Sequence, residues 1–134
     1  MPLLSDLIGL GMPPEQANIL AFETVSSSPA LSSSGAITAA GTTVADATAL
    51  TNFVNLITTA ALNTGVKLPD VPVGQSVVVF NNGANSLKVY PASATGTINS
   101  GTAGAGVTAT TAQGIQAVRQ STTNWVAFVH TKAT

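Results

Sequence analysis

Hydrophobic and polar residues alternate over short runs through most of this chain, and Gly, Asn and Pro separate the runs. Alternation with a period of two is the pattern of strands that bury one face, and such breaks are typical of turns. The pattern predicts strands at residues 36–40, 53–60, 64–68, 75–81, 86–90, 114–120 and 124–131. Residues 96–112 carry few large side chains, so we expect a surface loop there with one or two short strands.

Two features decide how these strands are arranged. Residues 49–62 have apolar side chains at helical spacing, but their Thr content and the neighbouring strands favour an extended structure. Asn82 and Gly83 lie between two apolar runs, where they suit a tight turn with positive φ and predict a hairpin. Short strands at regular spacing predict a mainly β fold, as a small antiparallel β-sandwich, a jelly-roll-like domain or a barrel.

The N-terminal residues follow a different pattern. Apolar residues near i, i+3, i+4 spacing predict a short helical arm over 1–24, and residues 25–35 are a Ser-rich linker before a β domain over 36–134. The arm either packs on its own β domain or binds a partner as an amphipathic helix. The linker favours the partner, since a core segment rarely needs such a tether. The predicted anchor residues are Leu3, Leu4, Leu7, Ile8 and Leu10.

Composition narrows the possible functions. The 134 residues are 45% hydrophobic, which is enough for a folded core, but only 7% are charged against about 25% in typical domains. A formal net charge of -1 gives no field to attract nucleic acid or an anionic membrane. No apolar run reaches the roughly 18 residues that span a bilayer. A surface with so little charge associates easily, which suits a subunit of an assembly.

Candidate chemistry is sparse. The sole histidine, His130, has no second His and no Cys with which to bind a metal, unless three copies share a site on a threefold axis. A glycosidase pair would need Asp46 and Asp70 to converge, and Asp70 fits a turn better. Trp125 and Tyr90 are predicted to be core residues rather than sugar-stacking platforms. We therefore expect no enzymatic activity and no cofactor.

Four phrases carry a resemblance to a known family. They are AITAAGTTVADATALTNFVNLITTAALNTGVKLP, GQSVVVFNNGANSLKVYP, GTINSG and TTNWVAFV, and together they cover roughly residues 36–130. The region resembles a β domain of virion structural proteins of tailed bacteriophages, which include head-decoration (cement) proteins and the bases of head fibres. The opening MPLLSDLIGLGMPPEQANIL also resembles the N-terminal arm of some of these proteins.

The resemblance implies a function without identifying residues that perform it. It implies a non-enzymatic decoration protein that binds the major capsid protein as a homotrimer and stabilises the phage head. Such a protein is made in the host cytoplasm and ends on the outer capsid surface of the virion. The alternative is a domain of a head or tail fibre that binds a receptor or a host glycan. Neither function involves nucleic acid or a membrane.

Overall fold

The computed structural model describes residues 33–133, which are mainly β. All seven predicted strands are present, with ends that differ by up to three residues. The loop predicted over 96–112 contains the two short strands β7 and β8, and residues 54–60 are extended as expected. The strands are β1 (Ser33–Ala39), β2 (Thr48–Ala49), β3 (Val54–Ala60), β4 (Gly65–Lys67), β5 (Ser76–Asn81), β6 (Leu87–Tyr90), β7 (Thr97–Ile98), β8 (Val107–Ala109), β9 (Gln113–Arg119) and β10 (Asn124–Thr131).

The strands form a six-stranded sheet in the order β1-β3-β5-β9-β10-β7 and a four-stranded sheet in the order β2-β4-β6-β8. The first six strands make three successive units, which we call rungs: β1–β2, β3–β4 and β5–β6. Each rung places one strand in each sheet, and corresponding strands of successive rungs pair in parallel. Parallel stacking of this kind is typical of a β-solenoid. The predicted antiparallel sandwich, jelly roll or barrel is therefore wrong.

The remaining strands close the stack in antiparallel fashion. Strand β8 pairs with β6 in one sheet and β9 pairs with β5 in the other, so this last unit runs in the opposite direction to the rungs. Strand β10 returns beside β9 as a true hairpin, and the short β7 pairs in parallel with the start of β10. The six-stranded sheet is thus parallel from β1 to β5, antiparallel from β5 to β10 and parallel again where the short β7 joins β10.

The core lies between the inner faces of the two sheets, where alternate residues of the facing strands form one apolar cluster. Trp125 is 2% exposed and belongs to this cluster, and Tyr90 is also buried, although on the other side of the four-stranded sheet, so both side chains are buried as predicted. Each large side chain removed from water contributes roughly 1.5–3 kcal/mol. The fully buried apolar residues of the two sheets include Ile57, Val77, Val79, Ile115, Val66, Leu87 and Val89.

The turn after β5 corrects the hairpin predicted at Asn82-Gly83. Strands β5 and β6 lie in different sheets, and neither turn residue has positive φ. The buried Asn81 holds the turn instead, because its Oδ1 accepts a hydrogen bond from Gly83 N at 3.0 Å and its Nδ2 donates to Asn85 O at 2.9 Å. The side chain thus takes the hydrogen bonds that a hairpin partner would supply, and the chain crosses to the other sheet.

Only part of the predicted division into arm, linker and β domain falls within the described residues. Strand β1 begins at Ser33, so the end of the predicted linker over 25–35 belongs to the β domain. The predicted helical arm over 1–24, with its anchor residues Leu3, Leu4, Leu7, Ile8 and Leu10, lies outside the described residues.

Candidate functional site

The outer face of the six-stranded sheet is the most distinctive surface of the described residues. Strand alternation places every second residue of β3, β5, β9 and β10 on this face, away from the core. Most of these residues are apolar, and no Asp, Glu, Lys or Arg lies within those four strands on this side. We call this surface the outer face, and it comprises Val54, Leu56, Thr58, Ser76, Val78, Phe80, Gly114, Gln116, Val118, Asn124, Val126, Phe128 and His130.

Strand register brings the largest outer-face side chains into two neighbouring rows. Leu56 lies opposite Phe80, and Phe80 lies opposite Gly114, which lies opposite His130. In the next row Val78 lies opposite Gln116, which lies opposite Phe128. Leu56 is 36% exposed, Phe80 46% and Phe128 53%. Two aromatic rings and an aliphatic side chain therefore lie close together on one exposed face of the sheet, and exposed apolar patches of this kind are often interaction sites.

A cleft of about 240 Å³ interrupts the outer face beside Phe80. Gly114 forms part of the lining, and a Cβ atom at that position would lie 3.0 Å from Cδ1 of Phe80. The absence of a side chain at residue 114 therefore lets the Phe80 ring lie close to the sheet. The apolar lining is edged by the polar residues Asn82, Gln113, His130 and Thr131 and by the charged Lys132. Such a cleft can accept an apolar group that also carries hydrogen-bonding atoms.

The outer side of the four-stranded sheet is different. It carries the exposed side chains of Lys88 and Thr108, which lie opposite each other in register. The Tyr90 ring covers part of this sheet, and Cβ atoms added at Gly65 and Gly106 would lie 2.4 and 2.9 Å from it. Tyr90 Oη donates to Thr42 O at 2.5 Å. Burial raises the pKa of Tyr90, and the carboxylate of Asp46 adds to the effect.

The candidate carboxylates have separate structural partners. Asp46 Oδ1 accepts hydrogen bonds from Thr43 Oγ1 at 2.6 Å, from Thr43 N at 2.7 Å and from Thr42 N at 3.1 Å. These bonds, led by that from the Thr43 hydroxyl, lower the pKa of Asp46. Asp70 forms an ion pair with Arg119. Among residues 33–133 no three His, Asp or Glu side chains are grouped closely enough to hold a metal ion.

Arg119 connects two loops rather than binding a ligand. Its Nη1 donates to Val71 O at 2.6 Å, its Nη2 to Thr122 O at 2.7 Å and its Nε to Ser121 O at 3.3 Å. The guanidinium also lies over the ring of Trp125, 5.8 Å from its centroid. With the ion pair to Asp70, four of its five N–H groups are used within the chain, so this cation links the loops structurally.

Comparisons with known proteins identify no relative: no family model, no curated protein and no solved structure matches the chain. In residues 33–133 there is also no helix with the length and apolar character that a membrane span requires. The outer face and its cleft are the surface features of residues 33–133 that bear on function.

Sequence reasoning did not single out Leu56 or Phe80 as site residues. The missed signal was the continuous apolar run VVVF in β5, which makes both faces of that strand apolar. One apolar face meets the core. The other apolar face is covered by neither sheet of residues 33–133.

Proposed function

We propose that this protein is a non-enzymatic structural protein of a bacteriophage virion, a decoration (cement) protein that binds the outside of the capsid and stabilises the head. The observation that carries the proposal is the uncharged, apolar outer face with Phe80 and Phe128 exposed. Aromatic residues on a flat surface are typical contributors to binding energy in protein interfaces. The resemblance to phage virion proteins supports the choice of the major capsid protein as the partner.

In this proposal three copies form a homotrimer, and the outer face of each copy lies against capsid subunits. A rigid β domain with few titrating groups suits a part that must hold neighbouring subunits together. The arm over residues 1–24 supplies a second anchor through Leu3, Leu4, Leu7, Ile8 and Leu10. Repeated weak contacts on a shell of many copies add up through avidity.

Paired surface variants test the role of the outer face. Phe80→Gln with Phe128→Gln removes two apolar contacts, and we expect co-sedimentation with undecorated shells to fall at least about tenfold, since central aromatic contacts are often worth 2 kcal/mol or more. The matched control is Lys88→Gln with Thr108→Gln on the opposite sheet, which should bind normally. Equal binding by both variants, with unchanged melting temperatures, would refute a docking role for the outer face.

Truncation tests the N-terminal anchor separately. Deleting residues 1–24 should leave the melting temperature nearly unchanged and abolish binding to undecorated shells, because the apolar anchor is lost. Full binding by the truncated protein would mean that the β domain alone holds the capsid contacts. Light scattering on the intact chain tests the trimer, and a monomer at micromolar concentration would contradict it.

A second candidate function is glycan binding by a head-fibre or tail-fibre domain, and the cleft beside Phe80 favours it. An aromatic ring flanked by amide and imidazole groups is suited to stack on a sugar ring while hydrogen-bonding its hydroxyls. Titration of the labelled protein with host-surface glycans would shift the amide signals of Asn82 and Gln113 if this function is correct. Unshifted signals at millimolar sugar would exclude the tested glycans.

A further inference from the structure

Strand β10 has an edge that is covered only in part. On one side it pairs with β9 from Trp125 to Thr131, whereas on the other side β7 reaches only Asn124 and Trp125. The side chain of Asn99 covers the next position, since its Nδ2 donates to Ala127 O at 3.2 Å and its Oδ1 accepts from Ala127 N at 2.8 Å. The edge is therefore covered as far as Ala127.

Beyond Ala127 the backbone groups on this edge have no partner among residues 33–133. The N–H and C=O groups of successive residues point to opposite sides of a strand. Those of Val129 and Thr131 therefore point away from β9, as those of Ala127 do. The bond from Lys132 N to Ala112 O at 2.9 Å fits this alternation, since it runs to the β9 side. Val129 and Thr131 thus each present an N–H donor and a C=O acceptor at an open edge.

The side chains around this edge do not protect it. Natural edge strands usually carry proline, a bulge or charged residues that prevent pairing with another strand. Residues 128–131 contain none of these, and Lys132 is the first charged residue. Phe128 is 53% exposed on the outer face and Val129 is 50% exposed on the opposite face. The edge therefore offers apolar contacts on both sides of its backbone groups.

We propose that this edge pairs with the same edge of a second copy, antiparallel about a twofold axis at His130. Val129 then lies opposite Thr131 of the second copy, which matches both donors and both acceptors of each chain. On the outer face Phe128 lies opposite Lys132 of the second copy, where an ammonium group can contact an aromatic ring. The two Lys132 residues lie at opposite ends of the paired segment, so their charges do not meet, whereas the two His130 side chains face each other across the axis.

The twofold axis stands perpendicular to the sheet, so the outer faces of both copies point to the same side. The paired segment is too short to bury the roughly 1,200 Å² of a stable interface, so pairing of free molecules is weak. It strengthens where copies are held side by side, because their effective concentration is high. On a shell the contact would link neighbouring trimers, and this consequence rests on the proposed function. The pairing of two copies does not rest on it.

Residue-resolved amide exchange of the full chain tests the pairing at micromolar and millimolar concentration. We expect the N–H groups of Val129 and Thr131 to exchange at least about tenfold more slowly at millimolar concentration, since a formed bond must open before exchange. The N–H groups of Phe128 and His130 already bond to β9 and serve as internal controls. Unchanged exchange at Val129 and Thr131 overturns the proposal, as does protection that appears only when undecorated shells are added.

Variants test the register. Val129→Pro removes an N–H that points to the open edge and spares the bonds to β9, so the dissociation constant of pairing should rise at least about tenfold. Val129→Thr, which keeps the N–H, is the control.

Phe128→Lys sets a like charge opposite Lys132 of the second copy and should weaken pairing, whereas adding Lys132→Glu should restore it. Failure of that rescue in a folded protein overturns the register. Loss of shell binding with intact pairing would count only against the proposed function.

Discussion

The stacked rungs and the β9–β10 hairpin both pair neighbouring strands of a sheet, but the chain connects those strands in different ways. In the hairpin, strands that are neighbours along the chain are also neighbours in the sheet, and its turn is closed by exposed backbone bonds from Gln120 N and Ser121 N to Asn124 O. In the rungs, consecutive strands lie in different sheets, and each pairs with a strand 18 to 24 residues away. The turn of the β5–β6 rung therefore depends on the buried side chain of Asn81, whereas the hairpin turn depends on exposed local bonds.

The largest loss of stability is expected from a change to Asn81, the buried side chain that holds the turn between β5 and β6. Asn81 is 2% exposed, and its Nδ2 also donates to Ala109 O at 2.9 Å, which joins the turn to β8. Asn81→Leu leaves several buried polar groups without partners, at about 1–3 kcal/mol each. We expect the free energy of unfolding, measured by urea denaturation, to fall by about 3 kcal/mol. The exposed neighbour provides the control, since Asn82→Ala should change it by less than about 0.5 kcal/mol.

A second test concerns how closely successive rungs approach. Gly65 in β4 is buried, and an added Cβ would lie 2.4 Å from the Tyr90 ring and 2.8 Å from Lys88 O, both in the next rung. Gly65→Ala should therefore cost about 2 kcal/mol of unfolding free energy through overpacking. Gly35→Ala is the matched change, because nothing lies within 4 Å of a Cβ there. Equal stability of the two variants would show that the rungs can move apart freely.

The hairpin should tolerate change better, even at its most connected residue. Arg119→Lys removes the bonds to the carbonyl groups of Val71 and Thr122 that a single ammonium cannot reproduce, and we expect a loss of about 1–2 kcal/mol in thermal unfolding. The ion pair contributes little of this, because the Asp70 side chain is 84% exposed. Asp70→Asn should therefore change the unfolding free energy by less than about 0.5 kcal/mol. A larger loss from Asp70→Asn than from Arg119→Lys would contradict this assignment.

The smallest effect depends on pH and concerns the turn between β1 and β2. The pKa of Asp46 is lower in the folded chain than the ordinary 3.8, because the Thr43 hydroxyl and nearby N–H groups bond to its carboxylate. Its contribution is therefore complete above the unfolded-state pKa and is lost as the pH falls through the lower folded-state value. Asp46→Asn should reduce the loss of stability in acid, measured by melting temperature at neutral and acidic pH. If the melting temperatures of both proteins fall equally in acid, protonation of Asp46 does not cause the loss of stability.

Local pattern predicted the strands but not their partners. Alternation in residues 114–120 and 124–131 fixes which side chains face the core, and proximity along the chain makes their pairing the natural choice. Nothing local indicates that Val54 pairs in parallel with Val78, or that Asn81 turns its side chain inward instead of starting a hairpin. The sequence also does not reveal that Phe80 is exposed, because the pattern of an apolar strand is the same whether one face or both faces are covered.

The wide spacing of paired strands has a consequence for the order in which this protein folds. The β9–β10 hairpin closes a short loop and can form within about 1–10 μs, whereas each rung must first close a much longer loop at greater entropic cost. We expect pulse-labelled amide exchange during refolding to show protection in β9 and β10 first and in β1 last. Until that last rung is in place the stack has an unfinished end, so slow folding at high concentration favours aggregation through unpaired strands.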